Sequence, residues 1–196
     1  MSDATAPPAP FRRAVASLSA VRPRPELVVA GLDAPPRMAP YSWALRVEAD
    51  IGHRGDGHDD LDEPDTSGRL ILLHDPAGQD RWAGTFRFVC FVQARLEPEQ
   101  LDDELLPVVG WSWLTDALAQ SGAAHVALGG TVTQTSSVRF GDIAGPRCDD
   151  VEIRASWTPE DDPADLGRHA EAFFALITSA AGLPPVDVRT LTPRSG

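Results

Sequence analysis

The side chains best suited to chemistry crowd into one stretch. Between Glu48 and Asp65 the chain carries eight carboxylates (Glu48, Asp50, Asp56, Asp59, Asp60, Asp62, Glu63, Asp65), two imidazoles, His53 and His58, and a single base, Arg54. Hard cations take carboxylate oxygens, and zinc takes imidazole with carboxylate. The spacing follows no calcium-loop frame, because the glycine due at the sixth place of an Asp-x-Asp-x-Asp-Gly pattern never falls there. A tight metal site also needs its ligands fixed on defined elements. The stretch therefore reads as a solvated acidic loop with no metal assigned. Arg54-Gly55-Asp56 spells an adhesion tripeptide, a chance occurrence in a chain read as cytosolic.

Nucleophile patterns are scarce. No Gly-x-Ser-x-Gly elbow occurs, and Ser112 in Gly110-Trp111-Ser112-Trp113-Leu114 falls within a predicted helix, not at a strand-to-helix turn. Cys90 would be able to pair with His74, with Asp75 adjacent, across a predicted hairpin. A core cysteine beside a strand-end histidine is the favoured reading, since a thiol without an electropositive setting is inert. Gly129-Gly130-Thr131 lacks the Gly-x-x-x-x-Gly-Lys frame of a phosphate loop. Two glycines inside a strand signal a bulge or bend. The run Thr131-Val132-Thr133-Gln134-Thr135-Ser136-Ser137 reads as the wet face of an antiparallel sheet. No catalytic residue, cofactor or metal is assigned.

The elements that would position these groups follow from periodicity. Residues 1–10 are rich in Ala and Pro and read as disordered. Phe11, Val15, Leu18 and Val21 recur at helical spacing, and Pro23 ends that helix. Tyr41–Glu48 alternates as a half-buried strand, after a short turn or strand near Glu26–Ala30. A long mobile acidic loop is expected at 49–68. Arg69–His74 and the apolar run Trp82–Leu96 read as a hairpin joined by a turn at Asp75–Asp80. Glu97-Pro98-Glu99 opens a helical segment reaching Gln120, divided or kinked near Pro107 and Gly110. On its second half Val109, Trp113 and Ala117 form the expected stripe, flanked by Leu106, Gly110 and Leu114, with Trp111 at the edge. Ala124–Phe140 and Asp150–Trp157 read as strands, a turn between them. A last helix from Pro163 has Leu166, Ala170, Phe173, Ile177 and Ala181 on one stripe and stops at Gly182 and Pro184. Residues 185–196 read as a frayed tail.

The order α-β-β-β-α-β-β-α predicts an α+β fold: one antiparallel sheet of about five strands with helices mainly on one face, a single domain spanning 11–184. That order is similar to the element order of type III secretion chaperones, a likeness of fold that does not decide function.

The bulk composition excludes several classes. The chain has 196 residues and a net charge of −12, of which the stretch 48–65 supplies −7 (eight acids, one Arg). Nucleic-acid binders need a cationic surface, so no nucleic-acid partner is expected. All 17 basic residues are Arg, and Asn is also absent. Lys and Asn have A- and T-rich codons, which points to a GC-rich genome. No apolar run approaches the roughly 20 residues of a membrane helix, and no secretory signal opens the chain. Two distant cysteines, Cys90 and Cys148, fit a reducing compartment. The chain is read as cytoplasmic, with no membrane partner.

At Ala39-Pro40-Tyr41-Ser42-Trp43-Ala44-Leu45, Gly110-Trp111-Ser112-Trp113-Leu114, Gly129-Gly130-Thr131-Val132-Thr133 and Arg139-Phe140-Gly141-Asp142, the chain resembles an uncharacterised actinobacterial family of unknown function. The resemblance covers roughly residues 11–184. It implies no activity and no site residue.

The functional expectation is a non-enzymatic, chaperone- or adaptor-like module that binds a protein partner or a second copy of itself. Two residues are singled out as partner contacts. Trp111 sits at the margin of its helix stripe, and Trp is enriched at interfaces. Phe91 lies, with Val89, on the second face of a strand whose first face already carries Phe86, Phe88, Cys90 and Val92. The alternative is a small-molecule-binding or enzymatic domain with a pocket between sheet and helices near His74, His125 and the Thr/Ser run.

Overall fold

A computed structural model describes residues 6–33, 38–49, 65–96 and 104–184. The readings placed on the acidic stretch from Asp50 to Pro64, on 1–5, on 97–103 and on 185–196 lie outside these residues.

Among the described residues nine helices and strands make two layers: α1 (Ala9–Ala20), β1 (Leu27–Leu32), β2 (Tyr41–Ala49), β3 (Thr66–Gln79), β4 (Gly84–Arg95), α2 (Leu106–Gln120), β5 (His125–Arg139), β6 (Gly145–Pro159) and α3 (Gly167–Ala180). A short 3-10 turn at Gly141–Ile143 links β5 to β6. The fold is α+β, as expected. The sheet has six strands, in the order β1-β2-β3-β4-β6-β5, and every pairing is antiparallel.

The expected five strands leave out β1, expected only as a short turn or strand near Glu26–Ala30; it is a six-residue edge strand with no polar side chain and hence no alternation to mark it. Other boundaries move too. The helix α1 starts at Ala9, with Pro10 in its first turn where a missing N–H costs nothing. The strand β3 starts at Thr66, within the span expected to be loop, and runs on to Gln79 through most of the turn expected at Asp75–Asp80, its register shifting after His74. Neither Pro107 nor Gly110 divides α2. Pro107 lies in the first turn, and Gly110 is buried where the helix meets the sheet, 3.4 Å from Val132 Cγ1 and 3.8 Å from Ile153 Cδ1 as measured from a built Cβ.

The core lies between the sheet and the three helices. Strand alternation sends Leu45 and Val47 from β2, Leu70 and Leu72 from β3, Phe88, Cys90 and Val92 from β4, and Ile153 and Trp157 from β6 into it. The helix α3 answers with Phe173, Leu176 and Ile177, and α2 with Leu114 and Leu118. Gly68 lets α3 settle onto β3: a Cβ there would lie 2.5 Å from Ile177 Cδ1 and 3.0 Å from Phe173 Cζ. The Ser17 hydroxyl accepts the Gly167 N–H at 2.8 Å and ties α1 to the start of α3. The Phe86, Phe88, Cys90 and Val92 side of β4 is buried, as the alternation predicts.

Candidate open-face groove

The alternation that buries Phe88 turns Val89 and Phe91 to the opposite side of β4. There they are half-buried, and no described helix lies over them. The helix α1 does not cover that face: it packs against α3, and Phe11 lies against Tyr41 and His74 on the core side.

A groove of about 740 Å³ runs over this face, with Ile71, Val89 and Phe91 on its floor and Arg69, Thr131 and Arg154 around them. It exists because β5 offers no side chain at Gly129, which faces open space, and its partner on β6 there is the small Ser156. Arg154 lies over the Phe91 ring, 5.3 Å from its centroid, while its Nε donates to Glu152 at 2.6 Å. A guanidinium over a ring face is attracted by the ring quadrupole. Arg69 is exposed. The charged side chains lining the groove are thus both cationic, on a chain of net charge −12. Beside it a smaller pocket of about 200 Å³ shares Arg69, Phe91 and Gln93 and adds Arg95, Cys148 and Asp150. Arg95 pairs with Asp65 at 3.0 Å, and Arg46 with Glu48.

Arg87 closes one end. Its guanidinium donates to the Ala127 carbonyl at 2.9 Å, to Thr158 Oγ1 at 3.1 Å and to Ser156 Oγ at 2.7 Å, and burial lowers its pKa. Ala127 is held at φ 52°, where the β5 register slips by one residue. That is the bulge anticipated from Gly129-Gly130, displaced toward the strand's start.

The remaining candidates are structural. Cys90 is 1% exposed, and burial pushes its thiol up to about 12. His74 faces Phe86, its ring stacked 4.1 Å from that of Phe86, and its Nδ1 lies 3.0 Å from the Thr85 carbonyl oxygen. Burial lowers its pKa. β4 and β6 separate His74 on β3 from His125 on β5, so the alternative pocket is not assembled from them, and the layer it would occupy is filled by core side chains. Ser112 Oγ donates to the Val109 carbonyl within α2. Among the described residues no group of three or more His, Cys, Asp or Glu is placed to hold a metal ion. No helix of the described residues is long and apolar enough to cross a membrane.

One buried cluster has no counterpart in the sequence reading. The Trp157 indole N–H donates to His169 Nδ1 at 3.0 Å, and His169 Nε2 lies 3.1 Å from Asp161 Oδ2. Since Nδ1 accepts, the proton must sit on Nε2 and point at Asp161. His169 is wholly buried, and desolvation lowers its pKa to about 4, against the opposing pull of Asp161. The three residues anchor the start of α3 to the end of β6. Periodicity cannot find such a cluster, because it joins a strand face, a loop and a helix.

Of the two expected partner contacts, Phe91 forms part of the groove floor. Trp111 lies on the helix side, half-buried over Gly130, with Cζ3 2.8 Å from where a Cβ would stand. The two are on opposite faces of the sheet.

No curated protein and no solved structure matches the chain. A family described as a protein of unknown function, DUF3000, matches residues 7–189, and the chain belongs to that family.

Proposed function

We propose that this protein is a non-enzymatic interaction module of the cytoplasm, chaperone- or adaptor-like in its action, and that the open face of the sheet is its working surface. The observation that carries the reading is the pair Val89 and Phe91, half-buried on a central strand with no described helix over them. An apolar floor between the cationic side chains of Arg69 and Arg154 suits a protein segment that presents a Leu or Phe flanked by Asp or Glu. The filled layer between sheet and helices supports binding on the outside in preference to a small molecule within.

The test is selection of displayed random peptides on the whole protein, followed by binding of the selected sequences to Arg69→Glu and Phe91→Ser. Selected peptides should carry an apolar residue between acids and lose at least about tenfold in affinity, some 1.4 kcal/mol, for either variant. A selection without enrichment, or peptides that bind both variants as well as the parent, ends the reading.

A further inference from the structure

The strand β5 is an edge of the sheet, and beyond its bulge at Ala127, from Gly129 to Ser137, it lacks the devices that keep edges apart. From Val126 to Val138 it has no charged residue and no proline, whereas edges are ordinarily blunted by charge, proline or shortness. The other edge, β1, is six residues long and bracketed by Glu26 and Asp33. In β5 the register with β6 runs from Gly129 to Ser137 without a break, and nearly every residue there is exposed.

The far end of β5 also projects. β4 accompanies β6 only as far as the rung Arg95↔Asp150, while β5 and β6 remain paired through Ser136↔Asp149, Ser137↔Cys148 and Arg139↔Gly145. A two-stranded ribbon is marginally stable alone in water. This one ends in three apolar side chains turned to solvent: Val138 at 52%, Phe140 at 78% and Ile143 at 70% exposure.

We infer that β5 pairs antiparallel with β5 of a second copy of this chain, each ribbon lying along the body of the other. A strand that pairs with itself about a two-fold axis must be self-complementary, and this one is. With the axis at Thr135, each Val138 lies across from the other copy's Val132. Each Phe140 lies across from the other copy's Gly130, where the neighbouring strand offers no side chain. That glycine is covered on the helix side by Trp111, so the ribbon tip reaches the half-exposed indole. The edge tryptophan of α2 thus becomes an interface residue. The polar Thr131, Thr133 and Thr135 face the open side, where Thr131 lines the groove, so the contacts of Val132, Val138 and Phe140 between copies stay on the helix side. The inference is independent of what that groove binds.

The experiment is light scattering with size-exclusion chromatography on the full chain over a wide concentration range. The wild type should show twice the chain mass at high-micromolar concentration. Thr135→Lys sets like charges against each other across the axis and should raise the dimer dissociation constant by at least about tenfold. Phe140→Ser should do the same, with an unchanged circular dichroism spectrum. An equimolar mixture of Thr135→Lys and Thr135→Glu should recover the dimer, which a misfolded variant cannot do. A wild type that stays monomeric throughout overturns the inference. So does a dimer indifferent to both substitutions, or a Lys/Glu mixture that remains monomeric.

Discussion

His169 must be neutral for the fold to keep its bonds, because its Nδ1 accepts from Trp157. The groups facing it are Trp157 and Asp161, the Phe88 ring at 4.8 Å, and the more distant charges of Arg168 and His125. In the unfolded chain His169 takes up its proton near the ordinary value of about 6.5. In the folded chain it does so only near 4. Between those values the unfolded state binds more protons, so stability rises with pH across the window. The contribution is complete above pH 6.5 and is lost as pH falls toward 4. At about 1.4 kcal/mol per pH unit, that loss is on the order of 3 kcal/mol. Denaturant melts at intervals of pH check this: His169→Gln should remove about one proton's worth of slope from that window, and an unchanged slope would refute the assignment. Cys90 gives a second expectation at this scale. Its buried thiol, raised to about 12, should react with iodoacetamide at neutral pH far more slowly than half-exposed Cys148, and equal labelling of the two in native protein would show that the core opens readily.

The helix α2 shows where periodicity fails at the level of elements. The expected stripe was Val109, Trp113 and Ala117, yet the buried row is Leu106, Gly110, Leu114, Ala117 and Leu118. Val109 is exposed. In an element apolar nearly all round, spacing alone cannot choose a face. Gly110 chooses it here, because the absence of a side chain lets that row approach β5 and β6 most closely. The adjacent glycines of β5 invite a direct test. A Cβ at Gly130 would run into the Arg154 carbonyl oxygen and the Trp111 ring, whereas one at Gly129 meets nothing within 4 Å. Gly130→Ala should cost about 1–3 kcal/mol as an overpacked site, and Gly129→Ala should stay within about 0.5 kcal/mol of the parent. Thermal melts of the two variants decide it; equal costs would mean that the α2–β5 contact is looser than drawn.

At the scale of the whole molecule, the legible part of the fold was what alternation and turns encode. The β3–β4 hairpin could be read from Arg69–His74 and Trp82–Leu96, and the buried side of β4 and the apolar character of its second side from Phe86 to Val92, but not what lies over that second side. The strand order could not, because β6 inserts between β4 and β5 through contacts distant in sequence. The groove escaped for the same reason: Arg69, Phe91 and Arg154 belong to three strands, and no spacing connects them. A two-layer protein in which no described helix covers one sheet face should feel the two sides of its central strand very differently. Phe88 is wholly buried, 5.5 Å from Trp157 and 4.8 Å from His169, ring centre to ring centre. Phe91, three residues on, is half-buried under Arg154. Phe88→Ala should cost about 3–5 kcal/mol, as truncations of buried aromatics do. Phe91→Ala should cost about 1 kcal/mol, the loss of a partial contact and a cation–π pair. For a chain of this length, 1 kcal/mol moves the midpoint by about 2–4 °C, so the two variants should melt well apart. If Phe91→Ala melts as low as Phe88→Ala, the second face is sealed within the chain itself, and the open-face reading falls with it.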